Sequence, residues 1–186
     1  MRFVCYCRDC QAYAHALGNP AQVLDAAGGT DVIATVQQHL HFTQGAQALA
    51  CLSLSGRGIY RWYASCCNTP IGNTARDPRL SYIAVVHSCL GESPAALDAG
   101  FGAQRIPVHT GHPRPRRDYS TARAMLSVAR LVGAVVRARL TGRWKDTPLF
   151  SAGAAPVVAP RVLDADARRR AREAVAADAA ARARTP

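Results

Sequence analysis

Apolar and polar positions alternate over Asp31–Val36, His39–Thr43, Ala46–Leu54 and Gly58–Ala64, and these segments carry β-branched or aromatic residues. Successive side chains of a strand point to opposite faces, so the pattern predicts four strands with one face on a core. Ser55-Gly56-Arg57-Gly58 supplies a turn between the last two, which makes the set an antiparallel meander. Ser81–Leu90 is continuously apolar instead, as a strand covered on both faces would be. It is predicted at the centre of the sheet, after a loop over Pro70–Pro78.

Helical signals flank the meander. Gln11–Leu17 reads as a short helix stopped by Gly18, with Asn19-Pro20 preventing its continuation. Over Ser120–Leu140 the period lengthens, with Met125, Val128, Val132, Val135 and Val136 on one side and Arg123, Arg130 and Arg137 on the other. That apolar side is expected to cover the sheet. Thr147–Val162, rich in Pro, Ala and Gly, reads as an extended strap, and Asp164 is placed to cap a last Ala/Arg helix reaching about Arg184. That helix has almost no large apolar residue after Val175, so its end is expected to fray. The predicted class is α+β: an antiparallel sheet domain over residues 1–110, with a basic helical extension over 111–186 packed on the same core.

With 186 residues, 49% of them apolar and 19% charged, the chain can bury a core without a metal to hold it together. The longest apolar run, Ala124–Val136, is interrupted by Arg130 and is far shorter than the roughly 20 residues of a membrane span. No membrane partner is expected. The start, Met1-Arg2-Phe3-Val4-Cys5, lacks the apolar stretch of a secretory signal, so a cytoplasmic location with reduced thiols is expected.

The formal charge of +11 is unevenly spread, since residues 1–110 carry seven Arg or Lys against six Asp or Glu, and residues 111–186 sixteen against six. A basic third of this kind suits nucleic acid or an acidic partner. Its arginines, however, alternate with Ala and acids rather than with stacking aromatics, which weighs against that reading.

Seven cysteines are an odd number, and five of them fall in two short stretches, which suits metal binding better than a disulfide framework. Cys5-Tyr6-Cys7-Arg8-Asp9-Cys10 brings three sulfurs within six residues, on a turn marked as polar by Arg8, Asp9 and Gln11. Zinc–sulfur bonds are only about 2.3 Å long, so such a turn can wrap one ion. Cys66 and Cys67 follow the strand Tyr60–Tyr63. Adjacent side chains there point opposite ways, so one of the pair is expected as fourth ligand and the other as a packed thiol. Weaker candidates are His39 with His41, His87 with Cys89, the Gly28–Asp31 turn, and His109 with His112, each better explained by its strand, core, turn or loop position.

The triad, the short helix after it, the meander, and the segment Arg61-Trp62-Tyr63-Ala64-Ser65-Cys66-Cys67-Asn68-Thr69-Pro70 together resemble the glutathione-dependent formaldehyde-activating enzyme family, which includes centromere protein V. The resemblance covers about residues 3–90. It implies a zinc-bearing β-tent fold, a zinc on Cys5, Cys7 and Cys10 associated with thiol-adduct chemistry, and Cys67 as the counterpart of a metal-binding cysteine. The family's second, structural zinc lacks its earlier Cys-x-Cys, and Ala64 replaces one of its later cysteines. A divergent branch with one zinc is therefore expected. Two versions stay open: a closed structural site with four thiolates, or an open one where a glutathione adduct binds and acts as substrate of a carbon–sulfur lyase. In the open version Arg8, Arg61 or the basic Ile106–Arg117 loop would hold the carboxylates of glutathione. The rival function is a non-catalytic, zinc-stabilised module that binds nucleic acid or an acidic partner through its basic C-terminal third.

Overall fold

The computed structural model of the chain describes residues 1–184 apart from 92, 104 and 110–119. In chain order its elements are β1 (Arg2–Cys5), α1 (Arg8–Leu17), α2 (Pro20–Val23), β2 (Thr30–Val36), β3 (Leu49–Ser53), β4 (Tyr60–Ala64), β5 (Thr69–Thr74), β6 (Tyr82–Val86), α3 (Pro94–Phe101), β7 (Ile106–Val108), α4 (Thr121–Leu140), β8 (Arg161–Val162) and α5 (Ala165–Arg184). The fold is mixed α and β. One eight-stranded sheet runs in the order β7-β1-β2-β6-β5-β4-β3-β8, antiparallel throughout except that β7 joins β1 and β8 joins β3 in parallel.

The alternation along each strand decides what covers each face. On β4, Tyr60 and Trp62 turn to one side, where they meet Leu149 and Phe150 of the strap, with the Trp62 and Phe150 rings edge-on at 5.7 Å. Arg61 and Tyr63 turn to the other, towards α1. Leu52, Leu54 and Leu163 complete that second side with Tyr13 and Leu17 of α1 and Ala171 and Val175 of α5. Helix α5 thus packs on α1 and belongs to the same core. Its start is fixed by Asp164, whose carboxylate accepts the Ala167 N–H at 2.7 Å. The expected division at residue 110 falls at the edge of a segment outside the described residues.

Strand β6 does lie inside the sheet, between β2 and β5. It ends at Val86, and His87–Leu90 is a 3₁₀ turn rather than more strand. His39–Thr43 is not a strand. Gln37–His39 turns instead, because the buried Gln37 carboxamide donates to the Tyr82 carbonyl and accepts from the Thr147 hydroxyl, which ends β2 there. The segment expected as a Pro70–Pro78 loop contains β5. Pro70 is tolerated because pairing with β6 begins only at Gly72, so no neighbouring carbonyl awaits the missing N–H on that side.

Helix α4 departs most from expectation. It packs on β2, but the residues that are buried are Ala124 and Ala138, with Leu131 and Val135 half-buried. Met125, Val128, Val132 and Val136, expected against the sheet, are 69%, 45%, 55% and 48% exposed. Small residues let the helix backbone sit close to the sheet, and that seam is rotated away from the large apolar stripe.

Candidate metal centre

Each cysteine of the triad is placed by a different local device. Cys5 ends β1, paired with Thr30 of β2. The Tyr6 N–H then bonds to the Val108 carbonyl at 3.1 Å, and its carbonyl accepts from the Gln11 carboxamide at 3.1 Å, so the chain is pinned while it turns. Cys7, in extended conformation, is the N-cap of α1, and its sulfur accepts the Cys10 N–H at 3.3 Å. Cys10 lies in the first helical turn. A Cβ on Gly29 would run into Val4 and Tyr6, the neighbours of Cys5, so the Gly28–Asp31 turn braces the same strand. The Asp25 carboxylate already accepts the Ala27 and Gly29 N–H groups of that turn, which makes it a brace rather than an anion cradle.

The three sulfurs lie within 4.8 Å of one another, and they are the one group of three or more potential ligands among the described residues. Three thiols in contact cannot all ionise alone. Cys10 ionises first: Cys5 and Cys7 donate to it, the Arg61 guanidinium stands 3.8 Å away, and its thiol is held well below the usual range. Cys5 and Cys7 are pushed up by the same contacts and by burial. The helix N-terminus adds positive potential at Cys7 and Cys10. Soft donors at this spacing fit one ion, since about 2.3 Å bonds in a tetrahedral arrangement put sulfurs roughly 3.8 Å apart.

Arg61 is buried between its partners. It donates to Asn73 Oδ1 at 3.2 Å and lies over the Tyr13 ring at 5.2 Å. The sulfurs face a cavity of about 500 Å³ whose other walls include Phe3, Arg57, Arg61, Asn73, Tyr82 and His109. Burial and the nearby Cys5 and Cys10 push the Tyr82 hydroxyl up to about 12, so it keeps its proton. Arg8 is exposed and lines a different groove, against α5. Of the two expected arginines the structure brings only Arg61 to the thiols. In the Ile106–Arg117 loop, His109 reaches the cavity, while residues 110–117, His112 among them, lie outside the described residues.

Neither Cys66 nor Cys67 joins the cluster. Both are exposed on the turn after β4, with their sulfurs 3.7 Å apart. The reason is the direction of the strand. Arg61 sits beside Cys10, and at about 3.3 Å per residue Cys66 lies roughly 16 Å further along. Asn19, just past the far end of α1, donates to the Cys67 carbonyl at 3.1 Å, which places the pair a helix length from the triad. The sulfurs do differ: the Thr69 hydroxyl and backbone hold the Cys67 thiol down, while contact with Cys67 pushes Cys66 up. Replacing both by serine should therefore leave metal content unchanged, and in the parent protein Cys67 should be alkylated faster than Cys66 near neutral pH. Loss of metal from the Cys66→Ser/Cys67→Ser protein would restore the four-thiolate reading.

Of the weaker candidates among the described residues, only His109 reaches the thiols' cavity. His39 bonds to the Thr35 hydroxyl, His87 to the Asp31 carbonyl, and Cys89 to the Ile71 carbonyl. No described helix is long and apolar enough to cross a membrane. Asn73 and Tyr82 were not legible as site residues. Pro70 and Gly72 hid β5, and nothing in Ser81–Leu90 marked one tyrosine as lining a cavity. Residues 1–160 match the model of a family of unknown function (DUF6151). No curated protein and no solved structure matches the chain.

Proposed function

The chain belongs to that family of unknown function, which assigns no chemistry, and from the site itself we propose that Cys5, Cys7 and Cys10 hold one zinc ion whose fourth position opens to the cavity. The observation that carries this reading is the separation of the exposed Cys66–Cys67 pair from a triad, with Cys5 and Cys10 buried and Cys7 half-buried, that faces open volume. A zinc ion held there would stabilise a bound small thiol as its thiolate at neutral pH. Arg61 supports such a site electrostatically: three thiolates and a divalent ion carry a net negative charge, which one buried guanidinium offsets. The protonated Tyr82 hydroxyl and the Asn73 carboxamide are wall groups able to orient a polar ligand, and exposed Arg57 stands at the mouth.

The substrate class follows from the resemblance of the Cys5-x-Cys7-x-x-Cys10 segment to glutathione-dependent formaldehyde-activating enzymes: glutathione or another thiol adduct, in a zinc-bearing β-tent, with carbon–sulfur bond chemistry. On α5, Arg169 pairs with Asp166 and Glu173 and Arg182 with Asp178, which takes two of that helix's six arginines from the rival, binding of nucleic acid or an acidic partner by the basic C-terminal third. Cobalt-substituted protein titrated with glutathione tests the proposal. A change in the thiolate-to-cobalt absorption that saturates with glutathione and persists in the Cys66→Ser/Cys67→Ser protein supports it. An unchanged spectrum at millimolar thiol would leave a purely structural metal.

A further inference from the structure

Six of the large apolar residues that the chain leaves exposed lie on α4: Met125, Leu126, Val128, Val132, Val136 and Leu140, between 45% and 80% accessible. At 100° per residue they form one arc, with Ala129 and Gly133 along its middle. Arg123, Arg130 and Arg137, all exposed, form a row beyond the Leu126 edge of the arc, between it and the seam with β2. The groove along that seam is indeed lined by Arg130 together with Ser127, Leu131 and Ala134. The exposed arc is thus apolar along its length, apart from Arg139 at its end.

We propose that this face of α4 is the interface with a second copy of the chain, paired antiparallel about a two-fold axis near the midpoint of the helix. Three observations select this occupant. The arc is self-complementary: with the axis between Arg130 and Leu131, Met125 faces the other copy's Val136, Val128 faces Gly133, and Ala129 faces Val132, which is the reciprocity an isologous contact requires. Gly133 sits inside a helix where it costs about 1 kcal/mol relative to alanine, yet among the described residues a Cβ there would meet nothing within 4 Å. A close approach of a second backbone at that point gives the glycine a reason. The area is also adequate: six half-exposed side chains give on the order of 500 Å² per copy, so a pair removes about 1,000 Å² from water, the lower end for a specific interface. An anionic bilayer is the weaker occupant, because small residues in the middle of the arc waste the area that insertion would use.

The test is sedimentation equilibrium of the full chain from micromolar to hundred-micromolar concentration. The expected result is a monomer–dimer equilibrium that Val132→Glu, close to the axis, weakens at least tenfold without altering the thermal transition of the monomer. Met125→Glu and Val136→Lys should each weaken it alone, and the double variant should recover it, because the introduced charges meet across the axis but lie about 16 Å apart within one helix. A monomer at every concentration, a dimer indifferent to Val132→Glu, or a monomer that instead floats with phosphatidylserine vesicles would overturn the proposal. Dimerisation is read without reference to metal, so its failure leaves the zinc reading where it stands.

Discussion

Cys10→Ser is expected to purify with close to no zinc, where the parent chain carries about one equivalent. Structural zinc sites contribute on the order of 10–16 kcal/mol of apparent binding, so one of three or four ligands accounts for roughly 3–4 kcal/mol, a 10²- to 10³-fold loss of affinity. Cys10 is the critical member, since it accepts from both other thiols and from Arg61. The hydroxyl of serine has neither the softness nor the acidity to replace it. Cys5→Ser and Cys7→Ser should act in the same direction, and Cys7→Ser also exchanges one N-cap acceptor for another that suits the position. Metal analysis after dialysis against a weak chelator reads all three. Removing the ion from the parent protein should lower its melting temperature, because binding to the folded state alone adds to folding stability.

Arg61→Met should give the second largest effect. The substitution keeps length and apolar bulk but leaves Asn73 Oδ1 without that donor and removes the cation beside Cys10. Loss of a partner just outside the ligand shell typically weakens metal binding about 10–100-fold. In the metal-free protein the sign of the pH effect is fixed as well. The Cys10 thiol is depressed in the folded state, so its ionisation stabilises the fold above the unfolded thiol's titration range, and this contribution is lost as the pH falls through the lower folded value. Without Arg61 the folded value rises, the contribution shrinks, and ultraviolet thiolate absorbance should move to higher pH. Arg61→Lys should fall between the two, since an ammonium keeps the charge without the planar fork that also reaches Asn73.

What could be read from the sequence is what local spacing determines. Three sulfurs within six residues can hardly avoid one another once β1 ends and α1 begins, so the triad was visible before any fold. The αL residue Gly18 at the end of α1, the Asp164 cap and the apolar β6 were legible for the same reason. That Cys66 and Cys67 stay away from the triad was not, because their place depends on strand direction: α1 lies along β4, so the residue beside Cys10 is Arg61 and the Cys66–Cys67 turn is carried to the far end of the helix. The face of α4 failed for a related reason. Its period gave a helix but not which of two apolar stripes meets the sheet, and the narrow alanine seam was chosen over the valine stripe. Strands β1 and β7 are four and three residues long, too short for any period to show.

Zinc X-ray absorption on the purified full chain, read together with zinc content, distinguishes an open three-thiolate site from a closed one. The expected result is about one zinc per chain with three sulfur neighbours and one oxygen or nitrogen neighbour, unchanged in the Cys66→Ser/Cys67→Ser protein. Four sulfur neighbours in the absence of added thiol, or a protein that binds no zinc with all three thiols reduced, would contradict it.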